Sequence, residues 1–230
     1  MSYAAPVFAS HLSVLLDKTP MLSAPNSRSQ HSYWLFTPVF LMTMLAVNLY
    51  LGVPGGELSK SDLAELGVSL TSLAQGEWLR LFTGSFISHD ADMLVRQLLL
   101  AAFAIGWFEW RYGPLRAAAM FFFLDVLGTL LLMFGVVMLI EFLEVNGLSG
   151  LPDTYDVGMS AGGFGLIGAS LYHLNWRGWA MAAGLSALAV KALLFPEPIA
   201  DLAHLMMLPT GFLVEALASR FIIRRSEETE

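Results

Sequence analysis

The chain has 230 residues, no cysteine, 56% hydrophobic residues and only 13% charged ones. Soluble domains carry about 25% charged residues, so that class is excluded and a polytopic membrane protein is expected. The absence of cysteine excludes disulfides and thiolate metal sites, and a net charge of -7 argues against nucleic acid as a partner, because a phosphate backbone needs clustered Lys and Arg.

In chain order, residues 1–32 are expected to form a cytoplasmic N-terminal segment. They lack the basic start of a secretory signal. Phe8–Leu16 reads either as a short amphipathic helix on the membrane surface or as a loosely ordered tail. "LSAPNSRSQHS" then reads as a linker. A span needs about 20 mostly apolar residues. The apolar runs predict six: Tyr33–Val53, Met93–Phe108, Leu115–Ile140, Val157–Leu174, Trp179–Leu194 and Ile199–Ile222. The third is long enough to tilt. The second, fourth and fifth are short, so their ends must start inside the bilayer or bury against protein. The expected organisation is an all-α, six-helix membrane domain over 33–222 and a cytoplasmic tail over 223–230.

Basic residues orient the bundle. With six spans, Lys18, Arg28, Arg111, Arg116, Arg177, Arg220, Arg224 and Arg225 fall on one side, and only Lys60 and Arg80 on the other. Both termini are therefore expected in the cytoplasm of a bacterial inner-membrane protein. The long loop Pro54–Asp92 and the acidic loop with Glu144, Asp153 and Asp156 are expected to face outward.

Polar groups within spans are costly and are functional candidates by default. Ser160 lies near the outer start of the fourth run and His204 about five residues into the sixth, at matching depth. A histidine within hydrogen-bond reach can take a serine's proton, so the two suffice for a nucleophile–base pair. Ala161, Gly165 and Ala169 recur every four residues, as do Gly158 and Gly162, which lets helix backbones approach closely. Packing alone would also explain Ser160, and the residues themselves leave both readings open.

Four strings in order resemble the rhomboid family of intramembrane serine proteases, over about Trp78 to Gly211. "EWLRLFTGSFISH" (77–89) is similar to the family's W-x-R-x-x-T-x-x-F-x-H, with Ser88 at the histidine position and His89 one residue later. "GWFEWRYG" (106–113) resembles G-x-x-E-x-R-x-G, "GMSAGGFGLIGA" resembles G-x-S-G-x-x-F-G-L-x-G-A, and "AHLMMLPTG" (203–211) resembles A-H-x-x-G-x-x-x-G.

The resemblance implies a six-helix rhomboid-like fold, Ser160 as nucleophile, His204 as general base, and a water-filled cavity opening outward. A single-span membrane protein would be the substrate, and no cofactor or metal is implied. Support for an oxyanion would come from Gln97, His89 and Gly158, beside the Ser160 backbone N–H. The chain departs from the family at Ala161 and Met207, where the family has glycine, and at Met93, where it has a hydrogen-bond donor. These departures keep a second reading open: a weak or inactive rhomboid-like protein that binds membrane helices as a chaperone, sorting factor or subunit of a larger complex.

Other charged residues carry weaker suggestions. "SHDAD" (88–92) offers His89, Asp90 and Asp92 to a metal, but reads as a solvated turn. Arg96 and Lys191 sit where long side chains snorkel to the outer boundary. Asp125 lies mid-span and needs a buried partner or a proton. With Arg96 and Lys191 it motivates a third reading, a small transporter. Glu215 shares a helix face with His204 and reads as structural. Glu109 and Arg111 resemble the family's structural pair at the inner end of the second span.

Overall fold

A computed structural model describes residues 34–143 and 153–227 of the chain. The expected helix at Phe8–Leu16, the linker after it and Glu144 lie outside the described residues. The order of elements is α1 (Phe36–Tyr50), α2 (Lys60–Leu66), α3 (Leu70–Ala74), α4 (Arg80–Thr83), α5 (Ala91–Tyr112), α6 (Pro114–Leu130), α7 (Met138–Phe142), α8 (Ser160–Tyr172), α9 (Arg177–Leu194) and α10 (Pro198–Glu227). A π-helical stretch, Leu131–Val137, joins α6 to α7 without a break. The described residues contain no strand, only an isolated antiparallel bridge between Val68 and Asp156.

Among the described residues, three helices are long and apolar enough to cross a membrane: Ala91–Tyr112, Pro114–Phe142 and Pro198–Arg220. The protein is thus an all-helical membrane protein. Each of the other three apolar runs is also helical, but α1 has 15 residues and α8 only 13. At about 1.5 Å per residue α8 extends roughly 20 Å, short of the roughly 30 Å hydrocarbon layer. The last helix runs five residues past the expected end at Ile222, so the tail begins as helix.

Local chemistry sets these boundaries. Asp90 caps α5 by accepting the Met93 N–H at 2.8 Å. Gly113, at φ 85°, ends α5, and Pro114 starts α6 at a first-turn position where no N–H is needed. Two helices lack caps of their own and borrow them. Glu109 of α5 accepts the backbone N–H groups of Leu35, Phe36 and Thr37 at 2.7–2.8 Å, closing the start of α1. Asp125 of α6 accepts the Gly162 N–H at 2.8 Å and so closes the start of α8. Glu109 therefore serves α1 and makes no ion pair with Arg111 among the described residues, whose guanidinium lies 6.0 Å from the Tyr112 ring centroid.

The glycine-rich α8 is the hub, packed against α5, α6 and above all α10. A Cβ on Gly168 would stand 1.9 Å from the Leu208 carbonyl oxygen, and one on Gly211 would stand 1.9 Å from the Gly165 carbonyl oxygen. The two backbones meet where any larger residue would force them apart. The opposite face of α8 takes α6: a Cβ on Gly162 would lie 2.8 Å from Phe121 and Asp125 side-chain carbons.

The loop expected to face outward, Pro54–Asp92, folds into short helices docked on the strand-like segment before α8. Val68 and Asp156 exchange backbone hydrogen bonds of 2.8 Å in both directions, and the Gly158 N–H donates to the Gly84 carbonyl at 2.9 Å. Thr71 Oγ1 donates to Asp153 at 2.7 Å. Arg80 binds the loop from within, donating to the carbonyls of Ala64 and Gly67 at 2.7 and 2.9 Å.

Candidate functional site

Ser160 is the first residue of α8. First-turn N–H groups have no intrahelical acceptor, and the helix dipole adds partial positive charge there. The chain enters this turn through Gly158 at φ +112°, a conformation that side chains rarely adopt. There is also no room for one: a Cβ on Gly158 would stand 2.0 Å from Gln97 Nε2 and 2.9 Å from Met93 Cε. Gly158 is thus fixed both by its backbone and by the Gln97 amide pressed against it.

Ser160 and His204 line one cavity of about 580 Å³, together with Met93, Gln97, Phe164 and Asp156. His204 projects from the second turn of α10, its ring over that of Phe164 with centroids 4.2 Å apart. Phe164 lies one turn beyond Ser160 on α8, so the imidazole stands on the same helix face as the serine. Nε2 of His204 is buried without a hydrogen-bond partner. Among the described residues no hydrogen bond joins Ser160 to His204.

Gln97 is 3% exposed and also lines the cavity. Its Oε1 accepts from Ser88 Oγ at 2.9 Å, while its Nε2 is buried without a partner. A buried amide N–H₂ left unpaired costs roughly 1–3 kcal/mol, and such groups call for an explanation. His89 is not brought into this site. Its ring lies 3.4 Å from the Asp90 carboxylate, and its backbone N–H donates to Met93 Sδ, outside the cavity lining. The other acids of "SHDAD" are engaged elsewhere, Asp90 in capping α5 and Asp92 in a 2.9 Å ion pair with Arg96.

Ala161 and Met207 face the same point on α6. A Cβ on Gly128 would lie 2.9 Å from Met207 Cγ and Sδ and 3.0 Å from Ala161 Cβ. Gly128 thus provides the room that both larger residues occupy. Met207 is fully buried there and is not part of the cavity lining.

Charges ring the mouth. Lys191 of α9 donates to Glu197 and, at 2.7 Å, to Asp201, while Arg96 of α5 lies 3.8 Å from Glu197. Arg96 and Lys191, grouped by sequence with Asp125, are therefore paired with rim acids. Asp125 lies apart from them, 2% exposed, accepting from Ser85 Oγ at 2.5 Å and from the Gly162 N–H. On the cavity wall, burial pushes the Asp156 carboxyl up to about 6. At the rim of α5, the hydrogen bond from the Met93 N–H, joined by His89, holds Asp90 below the usual carboxylate range. Glu215, on the His204 face, lies at the other end of α10, fully buried and bound to Arg116 and to His173 at 2.8 Å.

Asn48 and Ser85 also hold the site and were not singled out by the sequence, while Ser88 stood out only as the residue where the resemblance places a histidine. The signal available was a few small polar residues in apolar surroundings, which is weak until their partners are known. The chain matches no family model and no curated protein.

Proposed function

We propose that the protein is a rhomboid-like intramembrane serine protease, a six-span bundle with cytoplasmic termini in a bacterial inner membrane, whose cavity opens outward. The observation that carries this reading is the shared cavity. It contains Ser160 at a helix N-terminus, His204 with an unpartnered buried ring nitrogen, and Gln97 with an unpartnered buried amide nitrogen. These are the three roles that acyl transfer requires: nucleophile, base and oxyanion donor.

In the proposed reaction, His204 Nε2 takes the proton of Ser160 Oγ as that oxygen attacks the carbonyl carbon of a membrane protein's peptide bond. The oxyanion receives the Ser160 N–H and Gln97 Nε2. Collapse breaks the C–N bond, and the proton on His204 passes to the leaving amine. Water then attacks the acyl-enzyme, His204 again acting as base, and the acid leaves with Ser160 restored. The charged mouth supplies a route for that water, which hydrocarbon alone would not.

A second reading, a weak or inactive relative that binds membrane helices, is favoured by the missing Ser160–His204 hydrogen bond and by Met93, which offers no donor. An alkyl fluorophosphonate, which modifies activated serines, separates the two. Membranes containing the wild type should be labelled, and Ser160→Ala and His204→Ala should not. Labelling that ignores both substitutions, or its absence from the wild type, rejects the protease.

A further inference from the structure

The proposed oxyanion donor is held by a chain of side chains that reaches back to the first helix. Asn48 of α1 is wholly buried. Its Nδ2 donates to the carbonyls of Met44 and Phe86, both at 2.8 Å, and its Oδ1 accepts the Ser88 N–H at 2.8 Å. Reversing this amide would set an oxygen against two carbonyls and an N–H₂ against an N–H, so its orientation is fixed. Asn48 thereby fixes the backbone at Ser88.

Ser88 is itself wholly buried, so its hydroxyl proton needs an acceptor. Gln97 Oε1, at 2.9 Å, is the acceptor it has. Reversing the Gln97 amide would present Nε2 to Ser88 and strand that proton. The hydroxyl therefore dictates which end of the Gln97 amide faces the cavity. Gly158 completes the clamp, because its missing side chain is what lets Nε2 reach the wall beside Ser160.

We infer that Ser88, set in place by Asn48, is a positioning residue that locks the Gln97 amide with Nε2 toward the carbonyl oxygen of the bound substrate. The assignment rests on the protease reading. It gives a role to the position where the resemblance places a histidine. It also explains how a longer Gln arm is kept in one orientation: an unheld Gln would rotate between a donating and an accepting face and would repel an oxyanion in the second.

The test is the rate at which an alkyl fluorophosphonate labels the full chain in detergent micelles. In this reaction Ser160 Oγ forms a bond to phosphorus, fluoride leaves, and the serine proton passes to His204. The phosphoryl oxygen occupies the place of the oxyanion. Removing one oxyanion donor in a hydrolase costs about 10²–10³ in rate, so Gln97→Ala should slow labelling by about that factor. Ser88→Ala should slow it by about 10-fold or more through the maximal labelling rate, with little change in the probe concentration giving half that rate. Ser88→Thr, which keeps the hydroxyl, should restore most of the rate. Ser88→Ala added to Gln97→Ala should cause no further loss, because nothing remains to position.

A Ser88→Ala loss that persists in full on the Gln97→Ala background shows a merely structural residue and overturns the inference. So does an undiminished rate in Ser88→Ala. Where Ser88→Ala fails to fold, the isosteric Ser88→Cys, a much weaker donor, takes its place and should also be slowed; a full rate would overturn the assignment. Wild-type protein that never labels at Ser160 removes the protease reading and this inference together, whereas labelling that ignores Ser88 removes the inference alone.

Discussion

Asp125 of α6 accepts the backbone N–H of Gly162 in the first turn of α8, 2.8 Å away, two residues beyond Ser160. Its other oxygen accepts from Ser85 Oγ. The carboxylate thus ties two other segments, its own α6 and the turn bearing Ser85, to the helix start that bears the proposed nucleophile. A carboxylate at a helix N-terminus also complements the helix dipole. Asp125→Ala would bury an unpaired N–H and hydroxyl, and hydrogen bonds to charged groups contribute about 1.5–3 kcal/mol each. We expect Asp125→Ala to destabilise by about 3 kcal/mol and Asp125→Asn by about half that, read as thermal unfolding in detergent. Unchanged melting in both variants would reject the capping role.

Gly168 and Gly211 bring the α8 and α10 backbones together. A methyl at either would stand 1.9 Å from a backbone carbonyl oxygen, which cannot move aside as a side chain can. Overpacking a close interface costs about 1–3 kcal/mol and more where no neighbour can give. Gly168→Ala and Gly211→Ala should each lose about 3 kcal/mol or fail to accumulate. Gly135, with nothing within 4 Å of its Cβ position, is the control. Gly135→Ala should be neutral or stabilising by about 0.5–1 kcal/mol, since alanine lowers the entropy lost on ordering a helix. Equal behaviour of the three variants in a melting series would contradict the packing argument.

The positions of the helices were legible because apolar runs are a local signal, and each of the six predicted runs is helical. The small-residue spacing around Gly165 likewise marked a close helix contact before its partner could be named. Partners were the illegible part. Nothing in the spacing of Glu109 says that it closes α1 and not the gap to Arg111, because both options place a carboxylate at the same end of α5. Asp125 read as a lone mid-span charge, and only tertiary structure brings Ser85 and the start of α8 to it. The docking of the loop from Pro54 to Asp92 on Asp153–Gly158 rests mainly on backbone pairing, which leaves no side-chain pattern, and the Thr71–Asp153 hydrogen bond that joins it is visible only in the folded chain. Gln97 stood out by register alone, while Ser88 and Asn48 matter only through contacts across 9 and 40 residues of chain.

Asp156 gives the fold a pH dependence of definite sign. Burial raises its folded-state pKa to about 6 from the ordinary value of 3.8. Between those values the unfolded chain has released its proton and the folded chain has kept it, so stability falls as pH rises. The contribution is fully present below about pH 4 and lost above about pH 6. Asp90 acts oppositely: its lowered pKa makes its cap a stabilising feature that is lost only as pH falls below the ordinary carboxylate range. Melting temperatures measured between pH 4 and 7 should decline for the wild type and decline less steeply in Asp156→Asn. The same slope in both proteins would assign it to another group.

Gly128 and Met207 form the last coupled pair. A Cβ on Gly128 would meet Met207 Cγ and Sδ at 2.9 Å and Ala161 Cβ at 3.0 Å. The space lost to methionine on α10 is therefore returned by glycine on α6, which keeps α8 and α10 in backbone contact despite the bulk of Met207. Met207→Ala should leave a cavity and cost about 2–5 kcal/mol, the usual range for buried Met→Ala. Gly128→Ala should cost about 1–3 kcal/mol by overpacking. In the double variant the added methyl fills part of the vacated volume, so the total should fall short of the sum by about 1 kcal/mol or more, as expected for residues in contact. If Met207 instead wedged α8 from α10, Met207→Ala alone would stabilise the protein and raise the fluorophosphonate labelling rate at Ser160. Strict additivity in the double-mutant cycle, measured by thermal or denaturant unfolding, would show that the two residues do not share this space.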